Sequence, residues 1–514
     1  MLPRNAKLSV NNGKNLSRTY SGKRFGIVDL GSNSVRLVVY ASAARSPVLV
    51  FNEKVLCGLG RTLASTGRLD PKGIERALAA MRRFIALRSQ IGIDTLIVAA
   101  TAAVRDAADG PQFLRQAEEI CGFKITLVSG AEEARLSAQG VLSGIPDAEG
   151  VVGDLGGASL ELVGVGGGKI LNEGVTLPLG PLRIMDVTKG SLPEAEAIID
   201  KALRSIDLLK AFQGKRLYVV GGVWRNLARI HMSQRHYPIH VLHEYVISAK
   251  DATDLSKVIE RLGPKSLAQI PDISERRVDT LPVGALILDK LIAALNARDV
   301  VISAYGLREG ILFDRLNKRE QEKDPLIEGA RDLANRLARF PEHGNELPGW
   351  TAPLFAADVI GETPAEARLR HAACILADIG WYVHPDYRAH QSMTQILLAP
   401  FSGVDHPGRL MLARTLYHRH EGRGEPELIG DLAGLLSDNE NYRSLVLGLS
   451  LRLAFTLCAA TPGMLPKTRL EIDKTTITLI VPKRYESLLG EMVNKRLAAL
   501  ARVINRKPAT RIGR

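Results

Sequence analysis

The sequence predicts an α/β protein in which two duplicated α/β domains flank a cleft and a mostly helical region follows. Three observations carry this reading. From Phe25 onward, strands alternate with helix-period stretches of roughly 10–15 residues, the pattern of sheets covered by helices. A device that begins "DLGSNSVRLVV" at Asp29 returns as "DLGGASLELVG" at Asp154. Beyond the charged stretch 317–325, helical periodicity takes over. At 514 residues the chain exceeds one ordinary core, so about two to four domains are expected.

Taken in order, residues 1–24 are polar and basic, with no apolar signal-peptide segment, and read as a disordered arm. Domain I is placed at 25–145. It opens with the strand "FGIVDL", the turn "GSNS" and the strand "VRLVVY", then the amphipathic helix "DPKGIERALAAMRRFIALRSQIG". The buried strand "DTLIVAAT", the helix "AAVRDAADGPQFLRQAEEICG", the strand "KITLVSG" and the helix "AEEARLSAQGVLSG" complete it. Domain II, 146–316, restarts the device at "VVGDLGGASLELVG" and carries the strand "RLYVVGG" among helices. The stretch "NKREQEKDP" (317–325) reads as a hinge. A helical domain follows at 326–465, then a small α/β segment at 466–514 with a hairpin-like pair in "RLEIDKTTITLIVP" and a basic tail.

Composition narrows the class. No apolar run is long enough to span a bilayer. Four scattered cysteines without a CxxC pair signal neither a disulfide framework nor a zinc site, so a reducing cytoplasm fits. The net charge of +13 suggests a polyanion partner. Much of the excess sits in the two termini, which lack interleaved aromatics; that argues against a specific nucleic-acid surface and leaves a body close to neutral.

Two similar halves, each opening with a hairpin whose Gly-rich turn follows an aspartate, place a phosphate-gripping turn on each wall of a cleft. Small residues let anion oxygens approach backbone N–H groups and hydroxyls. The turn residues are Gly31, Ser32, Asn33 and Ser34 in the first copy, and Gly156, Gly157, Ala158 and Ser159 in the second. An acid before the turn, Asp29 or Asp154, can hold Mg²⁺ or its waters against the same phosphate. Glu161 stands where the first copy has Arg36. The second hairpin is therefore expected to hold the metal with Asp154 and Glu161, while Arg36 neutralises phosphate or braces its turn. The arrangement resembles the acetate/sugar kinase, heat-shock ATPase and actin superfamily, which implies an actin-like (ribonuclease H-like) fold.

All eleven histidines lie at or after His231, so a base in the first half is expected to be a carboxylate. In "SGAEEARL", Ser129 and Glu132 have capping-box spacing, which sends Glu132 back to the backbone and leaves Glu133 to face the cleft. The alternative is that both are ordinary first-turn acids.

The stretches "FGIVDLGSNSVRLVVY", "VAATAAVRDAADG", "LVSGAEEARLSAQGVL", "GDLGGASLELV" and "YVVGGVWRNLARI" occur in that order. Together they resemble the exopolyphosphatase / guanosine pentaphosphate phosphatase family over residues 25 to about 315. The resemblance implies Mg²⁺-dependent hydrolysis of phosphoanhydride bonds, with K⁺ or another ion as a possible assistant. It puts the catalytic glutamate on Glu133 and a phosphate-binding arginine on Arg105. Gly221 and Gly222 would allow close approach of a nucleotide or a chain phosphate. Trp224, where some relatives have a small residue, either hinders base stacking or offers a surface for it.

Residues 326–465 resemble the HD-type helical domain of longer members, with a broken metal motif: Ala377–Asp378 replaces the His–Asp doublet, leaving His343 as a remnant. This domain is expected to extend the cleft and build a homodimer, with Arg388, Arg419 and Arg423 either guiding a phosphate chain or standing as solvated surface charges. The leading function is exopolyphosphatase, cleaving terminal phosphate from inorganic polyphosphate. Guanosine pentaphosphate hydrolysis to the tetraphosphate is the runner-up, and a non-catalytic sensor of polyphosphate or guanosine alarmones is the reading from another class. Neither a membrane nor a specific nucleic acid is expected as partner.

Overall fold

The computed structural model describes residues 22–269, 278–424 and 432–513. The basic arm expected over 1–24 falls, up to residue 21, outside the described residues.

The first sheet has the order β3–β2–β1–β4–β5, with β1 Arg24–Leu30, β2 Ser34–Tyr40, β3 Leu49–Leu56, β4 Ile93–Ala100 and β5 Thr126–Leu127. β1 pairs antiparallel with β2 and parallel with β4. Ile27, Val28 and Leu30 of β1 are fully buried, as a central strand covered on both faces requires. The second sheet has the order β11–β12–β10–β6–β7–β8, with β9 also on β7. These are β6 Gly150–Leu155, β7 Leu160–Gly166, β8 Lys169–Ile170, β9 Val175–Leu177, β10 Arg216–Gly221, β11 Tyr245–Ser248 and β12 Asp299–Ile302. The path β7–β6–β10–β12 repeats β2–β1–β4–β5, an antiparallel hairpin followed by parallel neighbours. The duplication seen in the sequence is therefore a duplication of topology.

Two helices lie between the sheets. Leu136, on helix Gly130–Gly144, packs on the first sheet together with Leu307 and Ile311 of helix Leu307–Phe313. Ala134, Ala138 and Val141 of the longer helix pack on the second sheet. The two helices approach until backbones touch: a Cβ on Gly140 would meet Gly306 O at 2.0 Å, and one on Gly310 would meet Leu136 O at 1.9 Å. Both helices start at the cleft, so their first turns aim residues into it.

The C-terminal region is a helical module built around helices Pro325–Leu337, Pro364–Leu376, Arg388–Leu398, His406–Glu421 and Asp438–Cys458, with one continuous apolar core. Against it lies a small sheet of β13 Arg469–Ile472, β14 Thr476–Pro482 and β15 Lys507–Gly513.

Several local expectations need correction. The stretch 317–325 is not a loose hinge. Asn317 caps helix Lys318–Gln321, Asp324 caps the next helix, and Arg45 Nε donates to Lys323 O at 2.9 Å. The basic C-terminal run is not a tail: β15 pairs parallel with β14, and Arg511 is ion-paired with Glu471. "KITLVSG" yields a two-residue strand, and the helix expected across 102–121 breaks between Asp106 and Gly110.

Candidate active site

The two hairpins are built alike. Gly31 N donates to Ser34 O at 3.0 Å, and Gly156 N donates to Ser159 O at 3.0 Å. Across each ladder the acid faces the residue that distinguishes the copies: Asp29 opposes Arg36, and Asp154 opposes Glu161. Each turn is braced from behind, Gly60 N donating to Ser32 O and Leu182 N to Gly157 O. The turns also meet. A Cβ on Gly157 would lie 3.1 Å from the Cβ of Ser32 and 3.4 Å from that of Asn33.

Between them is a cavity of about 400 Å³. Asp29, Gly31, Ser32, Asn33, Ser34, Arg36, Glu133, Asp154, Gly156, Gly157, Ser159 and Gly222 line it. Three other residues expected from the sequence to bind phosphate or metal do not. Ala158 is buried at 1% exposure. Glu161 is 2% exposed, opposite Asp154 on the ladder. Arg105 is spent on other partners: its Nη1 donates to Glu133 Oε2 and to Val128 O, both at 3.1 Å, and its Nε reaches Asp106 Oδ1 at 3.3 Å.

Glu133 sits in the first turn of helix Gly130–Gly144, whose N-cap Ser129 accepts from Glu132 N at 3.2 Å. Glu132 makes only half of the expected box, because its carboxylate turns to Arg135. Burial pushes the Glu133 carboxyl up to about 7; Arg105 opposes this, while the charges of Asp154 and Asp29 add to it. Burial likewise raises Asp29, against the pull of Arg308, and raises Asp154, against a hydrogen bond from Ser137 and the charge of Arg225. Glu161 is raised well above the usual range by burial, then by Glu133 and Asp154.

The cationic side of the cavity was largely missed from sequence. Arg225, Arg229 and Arg308 all line it beside Arg36. Arg308 Nε lies 3.7 Å from Asp29 Oδ2, and Arg225 donates to Ser303 O and Ala304 O. Burial, then the charge of Arg308, lowers both Arg36 and Arg225 to about 10. A signal did exist: a strand, then small residues, then an arginine opening a helix occurs in "AATAAVRD", "VVGGVWRN" and "ISAYGLRE". Trp224 is not a stacking surface. It is 1% exposed and donates Nε1–H to Gly284 O at 2.9 Å.

The donor set suits a hard cation. Glu161 Oε1 is buried with no hydrogen-bond partner, and it stands opposite Asp154. Among the described residues no three His, Cys, Asp or Glu side chains converge as a metal cage. Mg²⁺ needs none, since it is commonly held by one or two carboxylates, waters and substrate phosphates. In the helical module His343 packs edge-on against Phe455 and lies near Cys458 and Glu346. Arg419, expected either to guide a phosphate chain or to stand as a solvated surface charge, is largely buried and ion-paired with Asp378 at 3.4 Å.

Residues 38–319 match the model of the Ppx/GppA phosphatase family, and residues 326–510 match that of the exopolyphosphatase C-terminal domain. Among solved structures, an exopolyphosphatase from Cytophaga hutchinsonii is 22% identical, with a TM-score of 0.52, over 57% of this chain and 97% of that one. The Aquifex aeolicus Ppx/GppA family member is 21% identical, with a TM-score of 0.47, over 56% and 96%. An exopolyphosphatase-like protein is 26% identical, with a TM-score of 0.49, over 57% and 98%. Among the described residues no helix is long and apolar enough to cross a membrane.

Proposed function

The chain belongs to the Ppx/GppA phosphatase family and is a hydrolase; from that premise we propose that it is an exopolyphosphatase, releasing orthophosphate from the end of inorganic polyphosphate. The observation that carries this reading is the convergence, in one cavity, of two facing anion turns, several arginines and a buried carboxylate raised to about 7.

The terminal phosphoryl group lies between the turns, its oxygens meeting the N–H groups and hydroxyls of residues 31–34 and 156–159. Arg36, Arg225 and Arg308 spread positive charge over the chain, the electrostatic stabilisation that phosphoryl transfer chiefly requires. Glu133 accepts the proton of the attacking water as the new P–O bond forms. The anhydride P–O bond breaks, and the electron pair leaves with the shortened chain. Arg105 holds Glu133 in place and keeps its basicity near neutrality. Asp154 and Glu161, with Asp29, would hold Mg²⁺, which when bound supplies further charge to the phosphoryl oxygens.

Guanosine pentaphosphate presents the same terminal anhydride and is the second substrate to test. A cytoplasmic homodimer is the assembly we propose, checked by sedimentation. The deciding experiment measures Mg²⁺-dependent phosphate release from long-chain polyphosphate and from guanosine pentaphosphate side by side, with Glu133→Gln as control. Loss of the base should lower kcat by roughly 10²–10⁴-fold while binding survives. A variant as active as wild type would remove Glu133 from the mechanism, and release from neither substrate would reject the reading.

A further inference from the structure

The degenerate centre of the helical module is not empty chemistry. Asp378 is 5% exposed, and arginines occupy it. Arg339 donates Nη2–H to Oδ1 at 2.6 Å and Nε–H to Oδ2 at 3.0 Å, and Arg419 Nη2 reaches Oδ1 at 3.4 Å. Arg419 also lies 4.0 Å over the Phe455 ring and donates to the His420 imidazole, which must then accept and be neutral. Burial and the surrounding guanidinium groups push His420 down to about 2, consistent with that state.

Beside this pair opens a cavity of about 260 Å³, whose lining includes Arg339, Arg419, Arg452 and Arg496. It shares no lining residue with the cleft. The four come from separate elements: the segment after helix Pro325–Leu337, the last turn of His406–Glu421, helix Asp438–Cys458 and helix Glu491–Val503. Asp378 is engaged by two of them, while Arg452 donates to His420 O and has Glu421 as a nearby counter-charge. The buried Nε atoms of Arg419, Arg452 and Arg496 have no hydrogen-bond partner. Burial lowers Arg419 to about 9, against the pull of Asp378, and the charges of Arg339, Arg388 and Arg452 lower it further. Like charges gathered around a concavity, with unmet donors, repel one another until an anion enters. The planar fork of guanidinium matches a tetrahedral oxyanion.

We propose that this pocket is a second anion-binding site, which takes a compact multivalent oxyanion of the phosphate or diphosphate class. Occupied, it ties helix Glu491–Val503 to the body of the module, so the anion stabilises the fold by mass action. The site does not depend on the substrate assigned to the cleft.

The test is calorimetric titration of the full chain, in chelator, with methylenediphosphonate, whose carbon bridge resists hydrolysis. Orthophosphate and citrate are the comparison anions. Arg452→Gln/Arg496→Gln removes two donors. Thr456→Glu, at an exposed rim position, sets a competing carboxylate there with little demand on folding. Both variants should weaken one binding event by about tenfold or more, and both should keep wild-type kcat on tripolyphosphate. Arg308→Gln, a cleft variant, should retain that event. The proposal is overturned if the event survives both pocket variants, if only Arg308→Gln abolishes it, or if citrate binds as tightly as the diphosphonate. Because the readout is metal-free binding, failure of the cleft reading would appear separately, as absent turnover.

Discussion

Glu133 carries a conflict that can be measured in two ways. In the fold its carboxyl titrates at about 7 against an ordinary 4.5. The folded state therefore keeps a proton that the unfolded chain releases above pH 4.5, and stability drains away as pH rises from there to about 7. Glu133→Gln removes that cost. The variant should melt with wild type at pH 4 and above it at pH 8, by an amount on the order of 1–3 kcal/mol in chemical denaturation. The gain comes from the same burial that tunes the base, a stability–activity trade-off at one atom pair. Arg105 gives the second measurement. It opposes the raised value, so Arg105→Ala should move the acid limb of the kcat profile to higher pH and leave KM nearly unchanged. A large rise in KM with an unmoved limb would restore the phosphate-gripping role expected from sequence. Glu133, Asp29 and Asp154 were legible because a turn or a cap fixes their direction locally. Arg225 and Arg308 share a local signal, an arginine opening a helix after a strand, but that signal does not say which cavity a long side chain enters, because what it meets depends on elements far apart in sequence.

At the scale of elements, the cleft is positioned by the contact between helices Gly130–Gly144 and Leu307–Phe313. It is set by small residues in "SAQGVLSG" and by Gly306 and Gly310. A methyl group at position 310 would stand 1.9 Å from Leu136 O, a backbone atom that cannot step aside. Gly310→Ala should therefore separate the helices, destabilise the protein by about 1–3 kcal/mol in urea unfolding, and lower turnover by shifting Glu133 against Arg308. An unchanged midpoint with unchanged turnover would mean that the contact is not needed. The strands and the repeated hairpin could be read from alternation and from apolar runs. The stretch 317–325 was misread because its charge resembles a linker, although Asn317 and Asp324 are helix caps. The C-terminal run was misread because its strand exists only by pairing with β14, a partner that composition does not reveal.

At the scale of the molecule, neutral polar contacts help to fasten the helical module to the α/β body, beside the apolar packing of Ile239 into the module's core. His406 accepts from Tyr237 OH at Nδ1, 2.8 Å, and donates Nε2–H to His243 O at 3.2 Å. His243 accepts from Ala304 N and donates to Gly144 O, and Gly403 N also reaches Gly144 O at 2.6 Å. Each ring makes one donor and one acceptor contact, so each must be singly protonated. Burial holds both near 4, below the ordinary 6.5. The unfolded chain gains protons below pH 6.5 that the folded rings refuse until about 4, so this contribution is lost as pH falls through that window. At pH 5 the loss is about 2 kcal/mol per histidine. The raised carboxylates of the cleft act oppositely, gaining on acidification, so the wild-type curve alone mixes two effects. A difference separates them. His406→Gln keeps a polar side chain but cannot take up a proton. It should be less stable than wild type at pH 7.5, where the ring's two hydrogen bonds are intact, and that deficit should shrink at pH 5, where the wild-type ring pays for staying neutral. A deficit that is the same at both pH values would show that His406 titrates as freely in the fold as in the unfolded chain, and that the seam between body and module is not sensitive to acid at this residue.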